Sequence, residues 1–336
     1  MAYSDAQLRG VLLEEAVIYL LYASGYEPVL TPGSDPTLSM SASGMEVQGR
    51  GEKHQIDAIA DFVLSPPFGN PQRLLVEAKF LSKRVGIPIV RNAVGISKDV
   101  SEYWVGTPKA PGSGIKKRYH YLYSIFSASD FTRPAQNYAF AHDIHLLPIR
   151  NSSYLLTVIN AIEAVGVREI RALPALLTVR QYVRNQLFNA PINGPADEVP
   201  EEMRRRLDEF VEEVSELRYG FVTMFGNLMP VFLIARRGLQ FQNLANQVFV
   251  RIRWIDGSWF IEDDGGEELF SFDLPDDLYR MYASRGILDR RAVANIKNDW
   301  MRQFNVFFRT DEGLGVKNFR LDDEWFAAIQ RAKDIG

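Results

Sequence analysis

The sequence predicts an α/β protein with a mixed central sheet flanked by helices, followed by a second α+β domain. Three observations predict it. The first 150 residues read in the order α-β-β-β-α-β-α-β. Residues 189–200 (NAPINGPADEVP) form a Pro/Gly/Asn-rich linker between patterned segments. The chain is 336 residues long, which suits two domains of roughly 100–200 residues each.

Each element has a local reason. Residues 8–24 repeat Leu8, Val11, Ile18 and Leu21 at helical spacing, with Asp5 near the start and Gly25 as the stop. Residues 31–51 are rich in Ser, Gly and Pro and read as loop or a short irregular strand. Two apolar runs follow, 55–64 and 74–80, separated by a Pro/Gly loop at 65–73. A helix is expected over 88–103, a loop over 104–114, a strand over 119–127 (YHYLYSIFS), a helix over 133–142 and a strand over 144–149. Helices over 153–165 and 167–188, the latter broken at Pro174, form a connector across 151–199.

The second domain, 200–336, opens with a charged helix at 201–217. Strands are expected at 219–225, 230–236, 247–255, 258–262 and 269–272, helices at 278–284 and 291–304, and a last strand at 306–309.

Composition narrows the class. Apolar residues make up 46% and charged residues 24%, a balance that can build buried cores. With no cysteine, disulfides and thiolate-bound zinc are excluded, and a cytoplasmic protein is expected. Neither a secretory signal nor a membrane-length apolar run is present, so no membrane partner is expected. The net charge is −4, yet residues 45–150 hold 14 Lys/Arg against 9 Asp/Glu, a local excess of cations that a polyanion could use.

The two apolar runs carry charge where a buried strand should not. Side chains alternate along a strand, so Leu75, Glu77 and Lys79 share one face, and Asp57, Ile59 and Asp61 share a face of the other run. An antiparallel pairing would set Asp57 beside Glu77, with Lys79 one pleat away. Two close carboxylates repel unless a cation neutralises them, and hard oxygen ligands suit Mg²⁺. A lysine beside such a cation can orient an attacking water or stabilise charge building on a phosphate.

Asp57 followed by Glu77-Ala78-Lys79 resembles the PD-(D/E)xK nuclease core, and more narrowly its Mrr-like restriction endonuclease branch. Leu13-Glu14-Glu15-Ala16-Val17 resembles that family's first helix, which offers a glutamate to the site. Residues 49–57 (GRGEKHQID) are similar to its glycine turn into the metal-binding aspartate. Residues 124–139 and 144–147 are similar to the strand–helix–strand that closes its catalytic domain. The likeness covers residues 8–150, and it departs from the pattern in that no proline directly precedes Asp57.

The resemblance implies a restriction-endonuclease-like catalytic domain over 1–150, a DNA endonuclease of restriction or anti-phage defence that depends on Mg²⁺, with Mn²⁺ able to substitute. Metal would be held by Asp57, Glu77 and the Ala78 carbonyl, with Lys79 and Glu14 completing the catalytic set. Glu14 shares the face of Val11, Ile18 and Leu21, whereas Glu15 is expected at the surface. One site per chain and two strands to cut imply a homodimer; other defence-system proteins are conceivable partners. A repair or recombination nuclease, and a nuclease fold that binds DNA without cutting, are the alternatives.

Further signals are weaker. Lys116-Lys117-Arg118 beside Tyr119, His120 and Tyr121 mixes cations with aromatics as DNA-tracking loops do, though a solvated loop would read the same. Val248, Val250, Ile252 and Trp254 alternate with Phe249, Arg251 and Arg253, which suggests one buried and one basic face, and Arg251 and Arg253 as DNA contacts. An ordinary sheet or a dimerisation surface fits that alternation equally. His54 reads as a turn residue or as one at the site mouth. Arg204-Arg205-Arg206 stands among acids and reads as an ion-paired helix surface.

Overall fold

The structure is a computed structural model. It describes residues 3–41, 44–64, 69–103, 119–151, 155–166, 173–189, 199–217, 221–225, 230–236, 238–255, 258–272, 289–310 and 313–334. The chain forms two compact units, Met1–Tyr22 with Tyr26–Ser215, and Ala23–Gly25 with Glu216–Gly336. The helices anticipated as a connector therefore belong to the first unit, which runs on through the charged helix to Ser215. Lys116, Lys117 and Arg118, most of the 189–200 linker and the helix expected at 278–284 lie outside the described residues.

In the first unit, helix α1 (Asp5–Ala23) precedes β1 (Tyr26–Pro28). A small antiparallel sheet of β2 (Leu38–Ser41), β3 (Gly44–Gln48) and β4 (Lys53–Gln55) comes next, where mostly loop was expected. Then come β5 (Ala58–Phe62), β6 (Gln72–Lys79), α2 (Ile87–Ser101), β7 (His120–Ser127), α3 (Arg133–Ala141) and β8 (Ile144–Pro148). The five-stranded sheet runs β1-β5-β6-β7-β8. Its β1–β5 and β5–β6 pairs are antiparallel, and β6–β7 and β7–β8 are parallel. This is the mixed sheet the sequence predicts. Parallel neighbours need a crossover, and α2 and α3 provide the two that are required. Both helices pack on one sheet face, where Ile59, Leu75, Tyr123 and Ile125 meet Val90, Ala93 and Ile96 of α2 and Ala135 and Ala139 of α3.

Helices α4 (Leu156–Ala164), α5 (Leu176–Phe188) and α6 (Glu201–Glu216) follow. Met203, Leu207, Phe210 and Val214 recur on one stripe of α6 and are buried there. Its outer face carries the Arg206–Glu202 and Arg205–Glu209 pairs, the ion-paired surface anticipated for that run of arginines. Tyr182 of α5 donates to Asp208 of α6 at 2.5 Å, which ties the two helices.

The second unit is built on a closed barrel in the order β10-β13-β12-β11-β15-β14-β9. Its strands are β9 (Phe221–Phe225), β10 (Pro230–Ala235), β11 (Gln247–Ile255), β12 (Ser258–Asp263), β13 (Glu268–Phe272), β14 (Gln303–Thr310) and β15 (Gly313–Leu321). Closure pairs every described strand on both sides and removes sheet edges. Val250, Ile252, Trp259, Ile261, Phe270, Phe304 and Phe319 fill its core. Among the described residues two helices accompany it, α7 (Arg290–Trp300) and α8 (Asp323–Asp334).

The helix expected at 291–304 stops at Trp300 instead, because Phe304 is needed in β14, stacked on Phe319 of β15 with ring centroids 5.5 Å apart. Strand β15 and helix α8 were not anticipated. Gly315 is required in β15, since a Cβ there would meet the Phe308 ring at 2.4 Å. Among the described residues, no helix is long and apolar enough to cross a membrane.

Candidate active site

The β5–β6 register pairs Ala58 with Val76 and Ile59 with Leu75, so the next step outward sets Asp57 against Glu77. The backbone N–H of Ala78 donates to Asp57 Oδ2 at 2.8 Å, which fixes the aspartate at the strand end. Lys79 Nζ lies 2.8 Å from Glu77 Oε1 and 3.7 Å from Asp57 Oδ2. One ammonium thus spans both carboxylates. From the neighbouring strand, Tyr123 donates its hydroxyl to Glu77 Oε2 at 3.2 Å. Asp57, Glu77 and Lys79 keep 16%, 15% and 28% of their side-chain surface, sheltered yet open to a ligand.

The approach to Asp57 is braced from α2. Asp99 accepts from the backbone N–H of Gly51 at 2.8 Å and of Glu52 at 3.4 Å, and its Oδ2 lies 2.7 Å from His54 Nε2. A Cβ on Gly49 would fall 2.0 Å from that carboxylate, so only glycine lets the turn dock so closely. His54 is engaged with Asp99 and serves the turn. Asp61, which shares the Asp57 face, is held away from the site by Arg73 through Nε at 2.6 Å and Nη2 at 2.8 Å. Arg73 also reaches Asp35 at 2.8 Å and stacks on Tyr119.

The first helix supplies acid as expected, with a correction. Glu14 meets Arg180 Nη2 at 2.5 Å and interacts electrostatically with Asp57 and Lys79. Glu15 is not a surface residue: it is wholly buried, held by Arg184 at 2.6 and 2.8 Å and by Arg180 at 3.2 Å. The cause is that α1 has no solvent face at its centre. Leu12, Leu13, Ala16, Val17, Leu20 and Leu21 are all buried around its circumference.

Arg180 and Arg184, one turn apart on α5, were not singled out from the sequence. The available signal is an i,i+4 arginine pair, each member next to the helical stripe of Val179, Val183 and Leu187. Tyr123 was missed as well, hidden in a strand full of aromatics.

Burial drives the electrostatics. It pushes the Glu14 carboxyl up to about 7, against the pull of Arg180 and with added repulsion from Asp57. Asp57 is also raised, by burial first and by Glu77, with Lys79 and the Ala78 N–H opposing. For Lys79, burial favours the neutral amine, but Glu77 and Asp57 outweigh it and hold the ammonium above its usual value. Burial thus outweighs Lys79 and Arg180 at both Glu14 and Asp57.

A hard divalent cation fits this donor set. Asp57 and Glu77 already share one cation in Lys79 Nζ, and Asp57 Oδ1 and the Ala78 carbonyl are further hard oxygens at the same strand end. Among the described residues no three acid or imidazole side chains converge as a ready cage.

The remaining candidates are distributed otherwise. Arg251 and Arg253 belong to the second unit. Arg253 donates to Glu262 across the β11–β12 pair at 3.0 Å, and Val250 and Ile252 turn into the barrel, which is the expected alternation. Lys116, Lys117 and Arg118 are not described.

No protein-family model matches the chain, and no curated protein matches it. Among solved structures, the chain is similar to the crystal structure of a protein of unknown function, AF1548, at 16% identity and a TM-score of 0.33. That alignment covers 62% of this chain and 97% of the other. A likeness at that level carries no functional information.

Proposed function

We propose that the first unit is a Mg²⁺-dependent endonuclease that hydrolyses phosphodiester bonds in DNA. The carrying observation is the single Lys79 ammonium spanning Asp57 and Glu77, with Asp57 locked by the Ala78 N–H. The resemblance of Asp57 and Glu77-Ala78-Lys79 to the PD-(D/E)xK core, in its Mrr-like branch, supports the same reading. So does the sheet order, in which an antiparallel acidic pair is followed by two parallel strands with helical crossovers.

Asp57, Glu77 and the Ala78 carbonyl would hold Mg²⁺. When bound, Mg²⁺ supplies Lewis-acid stabilisation of the charge that builds on the phosphate oxygens. Lys79 moves off the carboxylates it neutralises and turns its N–H donors toward the attacking water or the developing charge. Tyr123 holds the Glu77 carboxylate in a fixed orientation by its hydroxyl. Arg180 orients Glu14, and its positive charge favours the ionised Asp57 that a cation needs.

A restriction or anti-phage role, a cytoplasmic setting and a homodimer that cuts both strands follow from the resemblance as parts of the same proposal. A structure-selective repair nuclease would use the same residues. Incubating the purified chain with supercoiled plasmid and Mg²⁺, with methylated and unmethylated DNA in parallel, tests the reading. Nicked or linear product from either plasmid is expected. Intact plasmid in both, under conditions where the protein remains folded, refutes it.

A further inference from the structure

The second unit carries a shallow, open surface cleft that the catalytic reading does not use. Arg302, Arg320 and Arg331 line it together with Asp323, Phe326 and Ala327, around a volume of about 690 Å³. Backbone geometry fixes two of the arginines side by side. Arg320 of β15 pairs with Gln303 of β14, and the N–H of Leu321 donates to the carbonyl of Arg302 at 3.0 Å. Arg331 comes from α8, which begins just after β15, so strand ends and helix form the two walls.

Charge in the cleft is unbalanced. Asp323, its one acid, is engaged by Arg320 Nη2 at 2.7 Å. Arg331 donates Nε to the Ala327 carbonyl at 3.3 Å. Among the described residues, neither Arg302 nor Arg331 has a carboxylate partner. Among the described residues, two guanidiniums without a carboxylate partner line one concavity in a chain whose net charge is −4.

We propose that this cleft binds the phosphate backbone of a nucleic acid, with Arg302 and Arg331 on phosphates and Phe326 as the apolar floor. The lining selects that ligand. Planar guanidiniums suit phosphate oxygens, and an aromatic floor tolerates a sugar or a base of any sequence. Apart from Asp323, which Arg320 occupies, no carboxylate or amide side chain lines the cleft among the described residues, and with its guanidiniums on phosphates the cleft would position the duplex without specifying sequence. A mononucleotide pocket would need such convergent polar groups. The choice of nucleic acid rests on the reading of the first unit as a DNA-cutting enzyme.

The test is fluorescence anisotropy of a labelled DNA duplex with the full chain in EDTA, across a salt series, for wild type and the double variant Arg302→Ala/Arg331→Ala. The slope of log K against log salt should flatten by about 0.9 for each phosphate that the variant no longer neutralises. Arg302→Lys/Arg331→Lys should recover most of the slope, because it restores charge. An Ala variant with the melting temperature, affinity and salt slope of wild type overturns the proposal. Displacement of the duplex by ATP or inorganic phosphate at concentrations far below those matching its ionic strength also overturns it, in favour of a small-ligand site. Plasmid cleavage is scored separately. Cleavage with unchanged binding by the Ala variant removes the cleft and spares the active site. Cleft-dependent binding without any cleavage does the reverse.

Discussion

Glu14 gives the sharpest test of the electrostatics around the site. Its carboxyl is buried, with 17% of its side chain exposed, and is pushed from 4.5 up to about 7. A folded-state value above the unfolded one means that folding takes up a proton between those two pH values. The associated stability is therefore fully present below about 4.5 and is lost as pH rises through about 7. A difference of roughly 2.5 pH units, at about 1.36 kcal/mol each, corresponds to about 3 kcal/mol. Glu14→Gln has no such proton to lose and keeps a hydrogen-bond acceptor for Arg180. Urea denaturation without metal, near pH 4.5 and near pH 8, should show wild type losing up to about 3 kcal/mol relative to the variant as pH rises. Asp57 is raised in the same direction, and because it repels Glu14, part of the difference between the two proteins reports that coupling. Parallel pH profiles would refute the reasoning. A variant that becomes relatively weaker at high pH would show instead that the Arg180 attraction outweighs burial.

Other consequences are simpler. Lys79→Met should abolish cleavage, yet calorimetry with Mn²⁺ should still show binding, since the lysine competes with the cation for Asp57 and Glu77 and ligates nothing; loss of both would make Lys79 structural. Arg184→Leu leaves the wholly buried Glu15 with only Arg180, and should cost about 3–5 kcal/mol in denaturant unfolding, as for a broken buried ion pair; a change below about 1 kcal/mol would mean that Arg180 alone suffices. A fragment ending at Asn189 should be insoluble or molten, because it exposes what Met203, Leu207, Phe210 and Val214 of α6 cover, whereas one ending at Ser215 should melt cooperatively. Equal behaviour of the two fragments would show that α6 is dispensable.

The part of the site legible in the sequence is the part with local grammar. Asp57, Glu77 and Lys79 stood out because period-two alternation put charge into strands that were otherwise apolar, and the register then brought them together. The helix acid was half legible. Glu14 is legible by its face, but the stripe of Leu8, Val11, Ile18 and Leu21 does not show that α1 is covered all round at its centre, and so it places Glu15 wrongly at the surface. Arg180 was out of reach, since it lies 166 residues from Glu14 and only the packing of α5 on α1 joins them.

The same limit applies to the barrel. Most of its strands were readable one by one, but closure depends on β9 meeting β14 and on β11 running parallel to β15. Strand β15 itself is hidden by Gly313, Gly315 and Asn318, which look like turn residues; Gly313 takes a positive φ of 129°, Gly315 makes room for the Phe308 ring, and the Asn318 amide donates to Asn305.

The central claim is that Glu77 and Asp57 form a cation site that drives phosphodiester hydrolysis. Single-turnover cleavage of supercoiled plasmid in Mg²⁺, comparing wild type with Glu77→Gln, tests it most directly. Gln is isosteric and can still accept from Tyr123, but it removes the negative charge that the cation needs. Conversion of plasmid by wild type, with at least a hundredfold slower conversion by the variant, is the predicted result, in line with the loss of about 2.7 kcal/mol or more of transition-state stabilisation. Cleavage by Glu77→Gln at the wild-type rate would contradict the account.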